Sequence, residues 1–268
     1  MTKILNGQEL AEFIKERQAK QVRALRQAKH VQPKLAIIVT IDHPAINVYV
    51  KKKKAYGADI LIDVDIHRIN QADAQATIKS LNADSTVHGI IVQLPLEDRT
   101  RTDEIINLVA PEKDVDALGK NAKFDPATPM AILWLLHGYN VELAGKKILL
   151  IGRGKLVGAP LEKILQASGY DVSVVERETK DLASFTRQAD IIVTATGSPA
   201  ILHPDMIKEN AVVVDAGVAS EEGKTVGDLD SEVYSRDDLT ITPQKGGVGP
   251  LTVCALFENV IRAAQNQD

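Results

Sequence analysis

Residues 146–160 read KKILLIGRGKLVGAP, from Lys146 to Pro160. An aliphatic run, KKILLIG (146–152), breaks on Gly152, Gly154 and Gly158 and gives way to a helical pattern over 155–168. A strand feeding a glycine-rich turn and then a helix builds an anion site. Free backbone N–H groups point outward from the first helical turn, and the helix dipole favours negative charge there. Glycines permit positive φ and close approach of the backbone. The spacing, G-x-G-x-x-x-G, is one residue longer than the common dinucleotide fingerprint, and by itself it also fits a plain tight turn between strand and helix.

The residues that follow favour the dinucleotide. Strand YDVSVVE (170–176) ends at Glu176-Arg177, the position that reads the adenosine ribose in doubly wound folds. An acid there favours a free 2′-hydroxyl, and an arginine favours a 2′-phosphate. Arg153 stands beside the turn. Strands ADIIVTATG (189–197) and AVVVDAG (211–217) end in Thr194-Ala195-Thr196-Gly197 and Asp215-Ala216-Gly217-Val218. Such small residues leave room for a nicotinamide ring. With strand DLTIT (238–242) and helical patterns at 181–188 and 204–209, residues 122–248 read as a Rossmann-like dinucleotide-binding domain. Gly152, Arg153, Gly154, Arg177 and Val218 are its candidate cofactor contacts.

A similar alternation precedes it. KLAIIVT (34–40), ADILIDV (58–64) and VHGIIVQL (87–94) read as buried strands, separated by amphipathic segments at 44–56 and 71–83 and preceded by a helix from Gln8 to about Lys29. The β-α-β-α order implies a doubly wound, mostly parallel sheet. The join falls near Asn121–Pro129, where Thr128-Pro129 starts a helix over 130–139. The last segment, 249–265, is one amphipathic helix expected to return to the first domain. The expected architecture is α/β with two domains, 1–121 plus 249–268 and 122–248, and a cleft between them.

Bulk properties narrow the function classes. The chain has 268 residues, 44% of them hydrophobic, and a net charge of −4, without the basic, aromatic-interleaved stripe of a nucleic-acid binder. Apolar runs such as 35–41 are too short to cross a bilayer, and the N-terminal stretch carries charges where a signal peptide needs an apolar block. The only cysteine is Cys254, and the six histidines are scattered, so neither an internal disulfide nor a metal site is expected. Cytoplasmic localisation fits these features.

One stretch remains unexplained: VYVKKKKAYG (48–57), with four consecutive lysines. Either they form a solvated helix face or one of them works. The ordered pieces DHPAINVYVKKK (42–53), GIIVQLPL (89–96), PEKDVDAL (111–118), ATP (127–129), GRGKLVGAP (152–160), ADIIVTATGSP (189–199) and GGVGPLT (246–252) decide it. With them the chain resembles the bifunctional methylenetetrahydrofolate dehydrogenase/methenyltetrahydrofolate cyclohydrolase family, FolD, over nearly its whole length.

The resemblance implies that Lys53 is the working lysine and that Lys51, Lys52 and Lys54 are solvated or contact a folate's polyglutamate tail. Tyr49 lies four residues from Lys53, on the same helix face. It is expected to stack on the pterin or its aryl group, Gln93 to orient the lysine, and Asp116 to accept hydrogen bonds from the amino-pyrimidine edge. Gly249 and Pro250 are expected beside the substrate. The implied cofactor is NADP, with NAD possible, the substrates are tetrahydrofolate derivatives, and the implied assembly is a homodimer through the dinucleotide domains. The chain departs from the family pattern at Ile46, usually serine, and at Ala117, usually glycine. It departs again at Ala127, Gly154, Glu176-Arg177 and Gln244-Lys245. Two competing readings are a diverged paralogue with cyclohydrolase activity only and a non-catalytic folate- or dinucleotide-binding module. A shikimate-type dehydrogenase accounts for the second domain alone.

Overall fold

The computed structural model describes residues 2–221 and 224–266. In chain order its elements are β1 (Lys3–Ile4), α1 (Gly7–Ala28), β2 (Lys34–Val39), α2 (Pro44–Asp59), β3 (Asp63–Arg68), α3 (Ala74–Ala83), β4 (Gly89–Val92) and α4 (Thr102–Ile106). There follow α5 (Ala127–Gly138), β5 (Lys147–Ile151), α6 (Gly158–Ala167), β6 (Asp171–Val175), α7 (Leu182–Thr186), β7 (Ile191–Thr194), β8 (Val212–Asp215), β9 (Ala219–Glu221), β10 (Lys224–Val226), β11 (Thr240–Ile241) and α8 (Val248–Asn266). They divide into two compact units, Glu12–Ala127 with Val253–Asp268 and Met1–Ala11 with Thr128–Thr252.

The first unit is built on a three-stranded parallel sheet in the order β3-β2-β4. The central strand β2 is covered on both faces, which is why its sequence is continuously apolar rather than alternating. The chain leaves β2 for β3 on one side and returns to β4 on the other, so the carboxyl ends of β2 and β4 flank a topological switch point. The strand expected over 58–64 lies instead at 63–68. Ile60 and Ile62 are buried, but they sit in the turn after α2, where Leu61 adopts a positive φ. The strand itself is a sheet edge with a half-exposed pattern and carries little apolar signal.

The second unit is a six-stranded parallel sheet in the order β1-β11-β8-β7-β5-β6, with a two-stranded antiparallel hairpin, β9-β10. Its switch point lies between β5 and β7. Helix α7 occupies only Leu182–Thr186, and the pattern at 204–209 is a single 3-10 turn at Pro204–Met206. The first eleven residues, assigned from sequence to the domain of Lys53, sit in this second unit. β1 pairs with β11, with the N–H groups of Lys3 and Leu5 donating to the carbonyls of Leu239 and Ile241 at 2.9 and 2.8 Å. A two-residue exposed strand, Lys3–Ile4, at a sheet edge gives no periodicity to read. No helix among the described residues is long and apolar enough to cross a membrane.

Candidate active site

Helix α2 resolves the lysine run. Ile46, Val50 and Gly57 are buried on one face of it, and a Cβ on Gly57 would fall 2.5 Å from a Val64 methyl, so this face lies directly on β3. The positions 46, 50, 53 and 57 follow a 4-3-4 spacing, the stripe of a packed helix face. Lys53 occupies one place in that stripe and is largely buried, while Lys51, Lys52 and Lys54 are exposed. Ile46, where the family carries serine, is 6% exposed and packs beneath the helix. Tyr49, one turn before Lys53, is 41% exposed and leaves its ring open to a ligand.

Lys53 Nζ donates to Gln93 Oε1 at 3.0 Å. Gln93 follows β4, at the switch point, and its Nε2 donates to the Leu94 carbonyl at 3.1 Å. That second bond fixes the amide so that its oxygen faces the ammonium, the only arrangement a donor-only lysine accepts. Gln93 carries no charge and does not neutralise Lys53. Burial pushes the Lys53 pKa below the ordinary lysine value, and the Asp116 carboxylate opposes this by favouring the ammonium. Tyr49, Lys53, Gln93 and Asp116 therefore belong to one unit, on α2, after β4 and in the turn after Asp114. A poised amine, an orienting amide, an aromatic face and a carboxylate suit proton relay on a flat, polar heterocycle.

In the second unit the glycine turn follows β5. Gly152 has φ +100°, and a Cβ there would lie 2.8 Å from the Ala195 carbonyl oxygen. A Cβ on Gly158 would lie 1.9 Å from the Gly152 oxygen, so helix α6 starts hard against the turn. Gly154 has open space around it. Arg153 is held by Glu162 through two hydrogen bonds of 2.9 and 3.0 Å, an exposed pair of the kind that contributes about 0–1 kcal/mol and yields easily to a ligand. Arg177 pairs with Glu178 and reaches the Ser198 hydroxyl at 3.5 Å. Val218, beyond β8, is exposed.

Beside these lie groups not anticipated from sequence. Asp215 accepts from the N–H groups of Gly217, Asp228 and Leu229, and Asp228 accepts from the N–H and hydroxyl of Thr196. The two acids tie together the turns that end β7 and β8. Burial, reinforced by the Asp228 charge, pushes the Asp215 pKa up. The readable signal was the pairing of Asp215-Ala216-Gly217 with Gly227-Asp228: each acid lies where a Cβ on the other's glycine would clash, at 2.0 Å in both cases. Gly249 and Pro250, expected beside the substrate, fall in this second unit within α8. The preceding Gly246-Gly247 pair receives the start of α1. Gln8 N–H donates to the Gly246 carbonyl at 2.9 Å, and a Cβ on Gly7 would fall 1.8 Å from the Gly247 oxygen.

A two-unit α/β protein with a glycine-turn nucleotide site in one unit and a half-buried lysine–glutamine pair in the other is the class that fold and geometry define. Residues 5–116 match the tetrahydrofolate dehydrogenase/cyclohydrolase catalytic domain, and residues 126–268 match the NAD(P)-binding domain of the same family. The bifunctional protein FolD of Campylobacter jejuni is 39% identical over 98% of this chain and 99% of its own length. The crystal structure of the C. jejuni enzyme superposes with a TM-score of 0.94 at 38% identity, covering both chains fully. The Trypanosoma brucei FolD structure, complexed with NADP and an inhibitor, gives a TM-score of 0.92 at 28% identity over 98% of this chain and 97% of that one. The chain belongs to the tetrahydrofolate dehydrogenase/cyclohydrolase family.

Proposed function

We propose that this protein oxidises 5,10-methylene-tetrahydrofolate to the 5,10-methenyl form with NADP and then hydrolyses the methenyl form to 10-formyl-tetrahydrofolate. The observation that carries the reading is the 3.0 Å contact between the largely buried Lys53 ammonium and the fixed Gln93 amide. The lysine's partner, a neutral amide oxygen, leaves the charge uncompensated, and burial lowers its pKa below the ordinary lysine value, which eases release of its proton. Lys53 takes the proton from the water that attacks the methenyl carbon and returns it to solvent. Gln93 aims Lys53, Tyr49 stacks on the bound ring system, and Asp116 receives hydrogen bonds from the amino-pyrimidine edge.

Bound NADP supplies the hydride acceptor. The residues fit it: Gly152 and Gly158 bring the backbone of the turn to the start of α6, where a pyrophosphate is favoured. Arg177, exposed and beside Ser198, supports a 2′-phosphate over a free hydroxyl. The protein's part in the hydride step is orientation, with no acid or base required. We assign the protein to the cytoplasm as a homodimer associating through the dinucleotide units, whose sheet leaves β6 as an open edge, with no nucleic-acid partner.

The test combines purified protein, methylene-tetrahydrofolate and NADP. Reduced cofactor and a transient methenyl absorbance that decays to 10-formyl-tetrahydrofolate are expected. No reduction of NADP or NAD removes the dehydrogenase half, and methenyl-tetrahydrofolate that decays no faster than in buffer removes the hydrolase half.

A further inference from the structure

The segment Lys113-Asp114-Val115-Asp116 places two acids two residues apart, yet only Asp116 acts on Lys53. The other three residues are buried and bound. The Lys113 ammonium donates to the carbonyls of Leu81, Asn82 and Asp84 at 3.1, 3.0 and 2.6 Å, at and just after the end of α3. Ile90 N–H donates to the Lys113 carbonyl at 2.8 Å, and a parallel bridge between Ile90 and Asp114 appends the segment to β4. Val115 is fully buried over Gly89, and its carbonyl accepts from Asn259 Nδ2 at 2.9 Å.

Asp114 is 4% exposed. One carboxylate oxygen accepts from Gly119 N–H at 2.8 Å and the other from Leu118 N–H at 3.4 Å. Ala117, inside the loop these bonds close, has φ +56°, a left-handed conformation that disfavours any residue with a Cβ. A side chain on Gly119 would meet the Asp114 carboxylate at 2.9 Å. The turn carrying Asp116 is thus strained at Ala117 and closed from below by Asp114.

We propose that Asp114 is a positioning residue for Asp116. By tying down the N–H groups of Leu118 and Gly119, it holds the 116–118 turn in the geometry that keeps the Asp116 carboxylate near Lys53 and turned to the folate. This rests on the role of Asp116 in the reading above. The first three residues of the segment are then a pedestal, and the fourth is the contact.

The experiment compares Asp114→Ala and Asp114→Asn with the wild type. It measures cyclohydrolase kinetics across pH, the Lys53 titration by NMR of labelled lysine, and NADP affinity by titration. Asp114→Ala should raise KM for methenyl-tetrahydrofolate by about 10–100-fold, the scale of a misplaced contact. It should also lower the Lys53 pKa, because the neighbouring negative charge moves off, while leaving NADP affinity unchanged. Asp114→Asn keeps one acceptor oxygen, enough for the 2.8 Å bond from Gly119, and should fall between Asp114→Ala and the wild type.

A wild-type KM and Lys53 titration in Asp114→Ala overturn the proposal, as does a fall in NADP affinity that tracks the rise in KM. An Asp114→Asn variant as impaired as Asp114→Ala overturns it too, because the Gly119 bond that it retains then holds nothing in place. If Asp114→Ala does not fold, Gly119→Ala displaces the same carboxylate and must give the same two shifts, and its failure to do so refutes the assignment. Should the wild type be inert on methenyl-tetrahydrofolate, the functional reading fails, and the Lys53 titration still decides the placement of Asp116.

Discussion

Both units place their reactive features beside a switch point in a parallel sheet, and they build those features in opposite ways. After β5, recognition is written in the backbone. Gly152 and Gly158 matter for the side chains they lack, since a Cβ at either would strike a carbonyl oxygen at 2.8 or 1.9 Å. After β4 and along α2 it is written in side chains. The proposed chemistry rests on the 3.0 Å contact of Lys53 with Gln93 and on the charge of Asp116. A pyrophosphate asks only for N–H groups and space, whereas moving a proton on a folate asks for a group with a tuned pKa. The contrast predicts which substitutions each unit tolerates.

The largest effect is expected from Lys53→Met. It removes the proposed proton relay and should lower cyclohydrolase turnover by about 10²–10⁴-fold, the usual contribution of a positioned acid–base group. NADP affinity, held by the other unit, should not change. The sign for stability is the reverse. A lysine whose folded pKa is depressed below 10.5 costs stability in full below the folded pKa, and the cost fades as pH rises from there to the unfolded value. Lys53→Met should therefore raise Tm at pH 7, measured by calorimetry, and a variant that is both inactive and less stable would mean that the ammonium is held by structure and not by function.

Next in size is Gly158→Ala. Forcing a methyl against the Gly152 carbonyl should cost about 1–3 kcal/mol, as overpacking generally does, and it should weaken NADP binding at least tenfold in a fluorescence titration. Cyclohydrolase activity, read with methenyl-tetrahydrofolate alone, should survive. If NADP binds Gly158→Ala as it binds the wild type, the backbone reading of the turn is wrong.

How far these sites were legible in the sequence follows the same division. The glycine turn announced itself because positive φ and close approach admit one residue type, and β2 did so because burial on both faces leaves an unbroken apolar run. Lys53 was singled out by resemblance, although the spacing of Ile46, Val50 and Gly57 placed it on the packed face of α2 all along. What stayed hidden was set by partners distant in the chain. β3 reads poorly because one of its sides is open, and β1 because its two residues gain meaning only against Thr240–Ile241. The Gly246-Gly247 pair packs against the backbone of Gly7 and Gln8, a partner more than two hundred residues away that no local pattern shows. Asp114 and Asp116 are identical letters two residues apart, and only burial separates pedestal from contact.

A smaller effect tests the electrostatics of the lysine site. Burial lowers the Lys53 pKa and Asp116 holds it up. Asp116→Asn removes the opposing charge, so the pKa should fall further. The rising limb of the cyclohydrolase pH profile, along which Lys53 becomes a neutral base, should move to lower pH even as KM for the folate increases. A limb that stays in place, or moves to higher pH, would show that another group titrates there.

The smallest expected effect is the most diagnostic for the backbone-written turn. Gly154 stands where the family usually has serine. A Cβ built at Gly154 meets nothing within 4 Å, in contrast to Gly152 and Gly158 on either side, and its φ lies outside the left-handed region that Gly152 occupies. Neither sterics nor backbone strain requires glycine there. Gly154→Ser should change stability by no more than about 0.5 kcal/mol, the range of an exposed substitution. NADP affinity should stay within about twofold, since a twofold change is well under the 1.4 kcal/mol that a tenfold change represents. Thermal melts and a cofactor titration measure both. Should the serine tighten NADP tenfold, a side chain would be reading the cofactor at the centre of the turn. The division between a unit that recognises with its backbone and one that works with its side chains would then no longer hold.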